Sequence, residues 1–283
     1  MRLDHAARTS FFAAVLALGA WGCAFGAALL GAAGPARAQE ASPLGVLELF
    51  TSQGCASCPA ADALLGAYAA QGGVLALSLS VDYWDYLGWE DTLATLENSA
   101  RQRAYAEAMG AGEVFTPQIV VNGRRQVVGN DADAVAAAIA ELGAAGDGLR
   151  VPVGVGYDRE RVVVTVGTGT AAAVPATIWL VFFTTQTAVA VERGENAGHT
   201  LAYSNVVREM QPIGTWWGAA MTVEVPLSEV QRHAADGCAV LVQLEAEGQP
   251  GPIIGAGMAA LPEPVPDTAA APVAAAAEGA VPQ

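Results

Sequence analysis

Lysine is absent from the 283-residue chain: all 13 basic residues are arginine, against 28 acidic residues, for a net charge of −15. So acidic a chain has no basic footprint with which to displace phosphate counterions, which argues against nucleic acid as a partner. It also lacks the polybasic patch that holds a protein on an anionic membrane surface. Charge of either sign is scarce at 14%, while 53% of residues are hydrophobic. That composition suits a packed core and not a disordered chain. Cysteine is limited to four residues, too few for a disulfide scaffold.

The N-terminal segment reads as an export leader. Arg2 and Arg8 form a positive start, residues 11–36 carry no charge, and Ala36-Arg37-Ala38 is an A-x-A cleavage signal before Gln39. An uncleaved anchor is the competing reading, since 18 or more apolar residues can span a bilayer. Trp21 before Gly22 is too bulky for a lipoprotein signal at Cys23. Cleavage predicts a periplasmic or secreted protein with no stable membrane span. It leaves 10 basic and 27 acidic residues and three cysteines, Cys55, Cys58 and Cys238. An oxidising compartment favours a disulfide between a close pair.

Four zones follow: a signal peptide over 1–38, an alternating strand–helix region over 39–147, a strand-only region over 148–261, and a Pro/Ala-rich tail over 262–283. In the tail 13 of 22 residues are Pro or Ala, with no aromatic, which predicts disorder. Within 39–147 the apolar runs, glycine stops and turn signals give the order β-α-β-α-β-β-α. Gly45 to Thr51 and Val74 to Val81 read as a parallel pair of buried strands around a helix. Gln118 to Val121 and Arg124 to Val128 flank Asn122-Gly123, a strong hairpin signal. Asp131 is placed to cap the last helix. The short strands of 148–261 read as a separate β-sandwich.

Chemistry concentrates at Cys55-Ala56-Ser57-Cys58, which follows a buried strand and opens a helix. Unpaired N–H groups and the helix dipole favour thiolate there, and thiolate is the nucleophile of disulfide exchange. Two intervening residues let the second thiol resolve a mixed disulfide. Pro59 costs the helix little so near its start. A structural staple and half a metal site are the alternatives, but Cys238, His199 and His233 stand at no zinc-ligand spacing. Thr116-Pro117, at the start of a strand, is a candidate cis bond able to present an open backbone edge to a peptide.

The element order, CASC at the first helix and Thr-Pro before the third strand resemble the thioredoxin fold. The strings VLELFTSQGCASCPAADALL, VDYWDYLGW, ARQRAY, TPQIVVNG and GENAGHTLAYSNVVR resemble a family of secreted bacterial thioredoxin-like proteins catalogued as a domain of unknown function. The resemblance covers most of residues 45–258. It implies an α/β thioredoxin-like domain followed by an all-β sandwich. It implies an exported thiol–disulfide oxidoreductase acting on protein thiols and disulfides, served by an unidentified electron donor. Cys55 would be the attacking thiol, Cys58 the resolving thiol, and Pro117 the cis-proline beside them. Glu48 would be the buried acid of the first strand that assists proton transfer. No cofactor is implied beyond the redox-active disulfide, and the Ala-Ser dipeptide leaves the direction of electron flow open.

Two other functions stay open at the level of sequence: a binding module stapled by Cys55–Cys58, and a Cu(I) chaperone using both thiols and His199. Residues 82–89, with four aromatics, should lie near the CxxC loop as a substrate wall or a core plug. Asp82, Asp85, Glu90 and Asp91 lack the ordered spacing of a calcium loop. Residues 194–199 read as a loop, Trp216-Trp217 as core, and Cys238 as a small buried hydrophobe or a third redox thiol.

Overall fold

The computed structural model describes residues 43–261 apart from 159, 171–173 and 232–234. The predicted leader and tail lie outside these residues. The chain forms an α/β protein with one large mixed sheet and a second, small sheet.

The elements in chain order are β1 (Val46–Thr51), α1 (Cys58–Gln71), β2 (Leu75–Ser80), α2 (Leu96–Ala108), β3 (Gln118–Val121), β4 (Arg125–Val128) and α3 (Ala132–Ala144). There follow β5 (Val153–Tyr157), β6 (Arg161–Val166), β7 (Ala176–Ala190), β8 (Thr200–Trp216), β9 (Met221–Pro226), α4 (Leu227–Gln231), β10 (Gly237–Ala246) and β11 (Gln249–Ala260).

The first seven elements appear in the predicted order. β1 and β2 are parallel and in register from Val46↔Leu75 to Thr51↔Ser80. Every residue of both strands is buried, as continuous apolar runs between two helical layers require. Asn122 and Gly123 turn the β3–β4 hairpin with positive φ at both positions, the geometry that matches strand twist. Gly123 has no substitute here, because a Cβ would stand 2.3 Å from the Gly251 carbonyl oxygen. Asp131 caps α3 by accepting from the Ala134 N–H at 2.9 Å.

The strand-only region departs from a separate sandwich. Only β5, β6 and β9 form the small sheet; β7, β8, β10 and β11 extend the first region's sheet in the order β11-β10-β7-β8-β2-β1-β3-β4. The sheet thus crosses the predicted boundary at 147/148. Burial explains this. Residues 180–183 of β7 and 237–243 of β10 are buried consecutively, so each must be covered on both faces. One face carries Val181, Phe183 and Leu241 in a cluster shared with Leu77 and Leu79 of β2 and Tyr105 of α2. The other face carries Ile178, Leu180, Phe182 and Val240 against Val162 and Val164 of the small sheet.

β8 joins the two regions. It meets β2 in parallel at Ser78↔Val206. There Asn205 adopts φ 48° and its amide donates to the Ala76 carbonyl at 2.8 Å. Its other edge pairs with β7 from Ala176↔Trp216 to Ala190↔Thr200, and the hairpin tip carries residues 191–199 to the end of the sheet where β1 terminates.

Candidate functional site

Cys55 and Cys58 form a disulfide with a Cα–Cα separation of 5.4 Å. It lies between the C-terminal end of β1 and the first turn of α1, the crevice where open α/β sheets place their sites. The loop that carries it is tightly bonded. The Gly54 N–H donates to Ser52 Oγ at 3.1 Å, and the Cys55 and Cys58 N–H groups donate to the carbonyls of Ser52 and Cys55. Pro59 sits in the first turn of α1, and neither the cap residue nor an acidic side chain occupies the helix start by side-chain bonding.

The segment after β2 lies against this loop. The Trp84 Cβ packs on Gly54, and its indole N–H donates to Thr116 Oγ1 at 2.8 Å. Trp84 thereby bridges the disulfide loop and the Thr116–Pro117 bond, which is cis. Trp89 donates to Gln53 Oε1 at 2.8 Å, while Asp91 accepts from the Gln53 N–H at 2.7 Å. The four aromatics divide: Tyr83, Trp84 and Trp89 pack inward, and Tyr86 is 79% exposed. The acids of this segment are occupied as acceptors: Asp91 also takes the Leu93 N–H, Asp85 takes the Asp91 N–H, and Asp82 takes the Ser99 hydroxyl. Among the described residues, no group of three or more His, Cys, Asp or Glu side chains is placed to hold a metal ion.

Glu48 is buried but committed elsewhere. It sits on the face toward α2, where Oε1 meets Arg101 Nε at 2.6 Å and Oε2 accepts from the Tyr105 hydroxyl at 2.6 Å. Gln243 of β10 closes the network, donating to the Tyr105 hydroxyl at 2.8 Å and accepting from Arg101 at 2.9 Å. Burial works against the Arg101 charge, but the adjacent Glu48 carboxylate more than offsets it and holds the guanidinium protonated.

A second buried acid is Asp62 of α1, which no sequence motif singles out. It lies four residues after Cys58 on α1, so both side chains share one helix face. Asp62 is buried, and neither carboxyl oxygen has a hydrogen-bond partner among the described residues. Burial pushes its pKa up to about 8; the nearby Thr51 hydroxyl offsets part of that rise, and the charge of Asp91 adds to it. Thr51, Ser78, Ser80 and Tyr203 also carry buried oxygens with no partner among the described residues. Alternation along β1 and β2 points Thr51, Ser78 and Ser80 to the α1 side. The signal in the sequence was a lone carboxylate at Cys58 plus four, inside the apolar run AADALL.

The second half of the chain contributes Asn196, at the tip between β7 and β8. Its Nδ2 donates to the carbonyls of Gln53 at 2.8 Å and of Cys55 at 3.0 Å. No spacing rule marks it. His199 stands beside it with Nδ1 3.3 Å from the Asn196 carbonyl and is exposed. Cys238 is a free, buried thiol within the core facing the small sheet. Burial pushes its pKa up to about 12, with the Ala259 backbone opposing. Trp216 is core and donates to the Gly167 carbonyl at 3.1 Å, whereas Trp217 is 69% exposed.

Residues 46–243 match the model of a family described as Protein of unknown function (DUF1223). No protein of curated function matches the chain. The crystal structure of protein AGR_C_4864 from Agrobacterium tumefaciens is similar, with a TM-score of 0.72 and 39% sequence identity. The match covers 80% of this chain and 98% of that one. Among the described residues, no helix is long and apolar enough to cross a membrane.

Proposed function

Because the chain belongs to this DUF1223 family, we propose an activity from its own residues: it is an exported thioredoxin-like oxidoreductase that exchanges disulfides with protein thiols. The observation that carries this reading is a disulfide at a helix N-terminus, followed one turn later on the same helix face by a buried carboxyl whose oxygens have no hydrogen-bond partner among the described residues. A structural staple needs no such acid, and an unpaired buried carboxyl costs stability. The cis Thr116–Pro117 bond and the element order of residues 46–144 agree with a thioredoxin-like arrangement. The leader over 1–38 supports a periplasmic or secreted location.

In the oxidising direction, a substrate thiolate attacks Cys55 Sγ and the Cys55–Cys58 bond breaks. Cys58 leaves with the electron pair and takes the proton of neutral Asp62. A second substrate thiolate then attacks the substrate sulfur of the mixed disulfide and releases Cys55 as thiolate. The substrate gains a disulfide and the pair is reduced. In the reverse direction the Cys55 thiolate attacks a substrate disulfide, Asp62 accepts the Cys58 proton, and Cys58 displaces the reduced substrate. A partner of the thiol–disulfide class restores the starting state. Asp62 takes the proton-transfer role that the resemblance gave to Glu48, since Glu48 is held by Arg101 and Tyr105.

The low exposure of Cys55, 2%, favours a second reading: a stable staple in a binding module. Titration of the pair against glutathione and dithiothreitol, read by alkylation, separates the two. A reversible couple between about −120 and −270 mV is the expected result, and resistance to reduction below about −300 mV would establish the staple. Cys58→Ala should then accumulate mixed disulfides through Cys55 in the cell.

A further inference from the structure

Disulfide exchange requires a sulfur that an attacking thiolate can approach, yet Cys55 is 2% exposed. Its backbone carbonyl accepts from Asn196, in the hairpin tip of residues 191–199. The tip is built to hold one shape. The Val191 N–H donates to the His199 carbonyl, and the Gly198 N–H to the Val191 carbonyl. Gly194 and Gly198 supply two left-handed turns at φ 80°. Asn196 is the buried residue in a run that is otherwise exposed from Glu192 to Thr200. Its amide spends both N–H bonds on the Gln53 and Cys55 carbonyls.

The Gln53 and Cys55 carbonyls, on either side of Gly54, are acceptors at the disulfide loop that another polypeptide backbone could use. An extended chain presents N–H groups of the right chemistry and lays them beside a protein edge. Here a side-chain amide of the protein itself fills that place. A small thiol without peptide bonds, such as dithiothreitol, has no N–H groups with which to replace Asn196.

We infer that Asn196 is the specificity-determining residue of the exchange: its amide occupies the place of a substrate backbone, so that extended polypeptide thiols displace the tip and react while small thiols are held off. The inference rests on the oxidoreductase reading and adds its substrate class.

The test compares reduction rates of the intact protein's disulfide by dithiothreitol, which has no N–H group, and by an unfolded, cysteine-containing polypeptide, in wild type, Asn196→Ala, Asn196→Asp and His199→Ala. Asn196→Ala should react with dithiothreitol about tenfold faster, the factor that one net hydrogen bond is worth in an opening equilibrium. Asn196→Asp, whose carboxylate opposes the two carbonyls, should open the tip at least as far. Rates with the polypeptide should rise less, so the wild-type preference for polypeptide shrinks. His199→Ala should leave the preference intact. Thermal melts confirm that each variant folds. Equal dithiothreitol rates in wild type and both Asn196 variants would overturn the inference while leaving the exchange activity standing. A wild-type preference for dithiothreitol over the polypeptide would overturn it as well. A pair that neither reagent reduces in any variant would remove the oxidoreductase reading, and the inference with it.

Discussion

Two acids are buried on opposite faces of one sheet, and they are treated differently. Glu48 faces α2 and is fully bonded: a guanidinium at 2.6 Å, a phenol at 2.6 Å, and Gln243 tying both partners to β10. Asp62 lies on the α1 side, one helical turn after Cys58, and its carboxyl oxygens have no hydrogen-bond partner among the described residues. The first arrangement gives each carboxyl oxygen a donor. In the second, burial favours the protonated carboxyl, and the Thr51 hydroxyl offsets only part of that effect. A carboxyl held that way titrates where proton transfer at neutral pH is useful, and it is the helix of Cys58 that carries it. The acid with a structural task is far better satisfied than the acid beside the chemistry, and tension of this kind concentrates at functional sites.

The sharpest way to break this comparison is to neutralise each acid in turn. Glu48→Gln strands the Arg101 charge inside the protein. Removing one partner of a buried pair costs about 3–5 kcal/mol, so urea unfolding should show a loss of that size near neutral pH. A loss under about 1 kcal/mol would mean that Arg101 finds water or another acceptor, and the contrast between the two acids would collapse.

Asp62→Asn should act in the opposite direction. The folded-state pKa is raised, to about 8, so the native protein holds a proton that the unfolded chain releases above about pH 4. Stability contributed by the native state's proton uptake is therefore complete at low pH and is lost as pH rises through the folded value. The asparagine variant escapes that loss. It should match wild type near pH 4 and exceed it above pH 8 by up to about 5 kcal/mol, since the rise from 3.8 to about 8 spans roughly four tenfold steps in proton affinity, each worth about 1.4 kcal/mol. Disulfide exchange should fall by about 10²-fold, the lower end for loss of a general acid–base group. Parallel pH-stability curves for the two proteins would show Asp62 to be solvated and ordinary. Unchanged exchange would leave it without a role in the chemistry.

Much of this was legible in the sequence, for reasons that separate the two halves. Residues 46–144 are local: strand, helix and turn each carry their own punctuation, so Asn122-Gly123, Asp131 and the apolar run of β1 declare themselves. β8 does not. Its sequence TLAYSNVVREMQPIGTW mixes apolar with charged residues and contains Pro212, and register shifts interrupt its pairing with β7, so no clean period of two survives. β11 is masked by its prolines and glycines; Gly255 and Gly257 fit because Val151 and Val153 press on them. Without those two strands the second region reads as a closed sandwich; with them it becomes the continuation of the first region's sheet. The site divides the same way. Cys55, Cys58 and Pro117 are visible as motifs. Asn196 reaches the disulfide loop across about 140 residues of chain, a proximity that only the β7–β8 hairpin creates.

The smallest effect tests whether the hydroxyls around Asp62 belong to its environment. The Tyr203 oxygen is buried with no partner among the described residues, and burial raises its pKa, with Asp62 and Asp91 adding to the rise. An unpaired buried hydroxyl contributes desolvation cost without a compensating bond. Tyr203→Phe should therefore change stability by less than about 1 kcal/mol, in the stabilising direction, because it deletes the orphan atom and keeps the ring. Measured by thermal unfolding at pH 6 and pH 9, the gain should be the same at both, since Tyr203 stays neutral throughout. A loss exceeding about 2 kcal/mol would mean that the hydroxyl bonds strongly to something, with an internal water shared with Asp62 the first candidate. Asp62 would then be partnered after all, and the difference between the two faces of the sheet would narrow to one of degree.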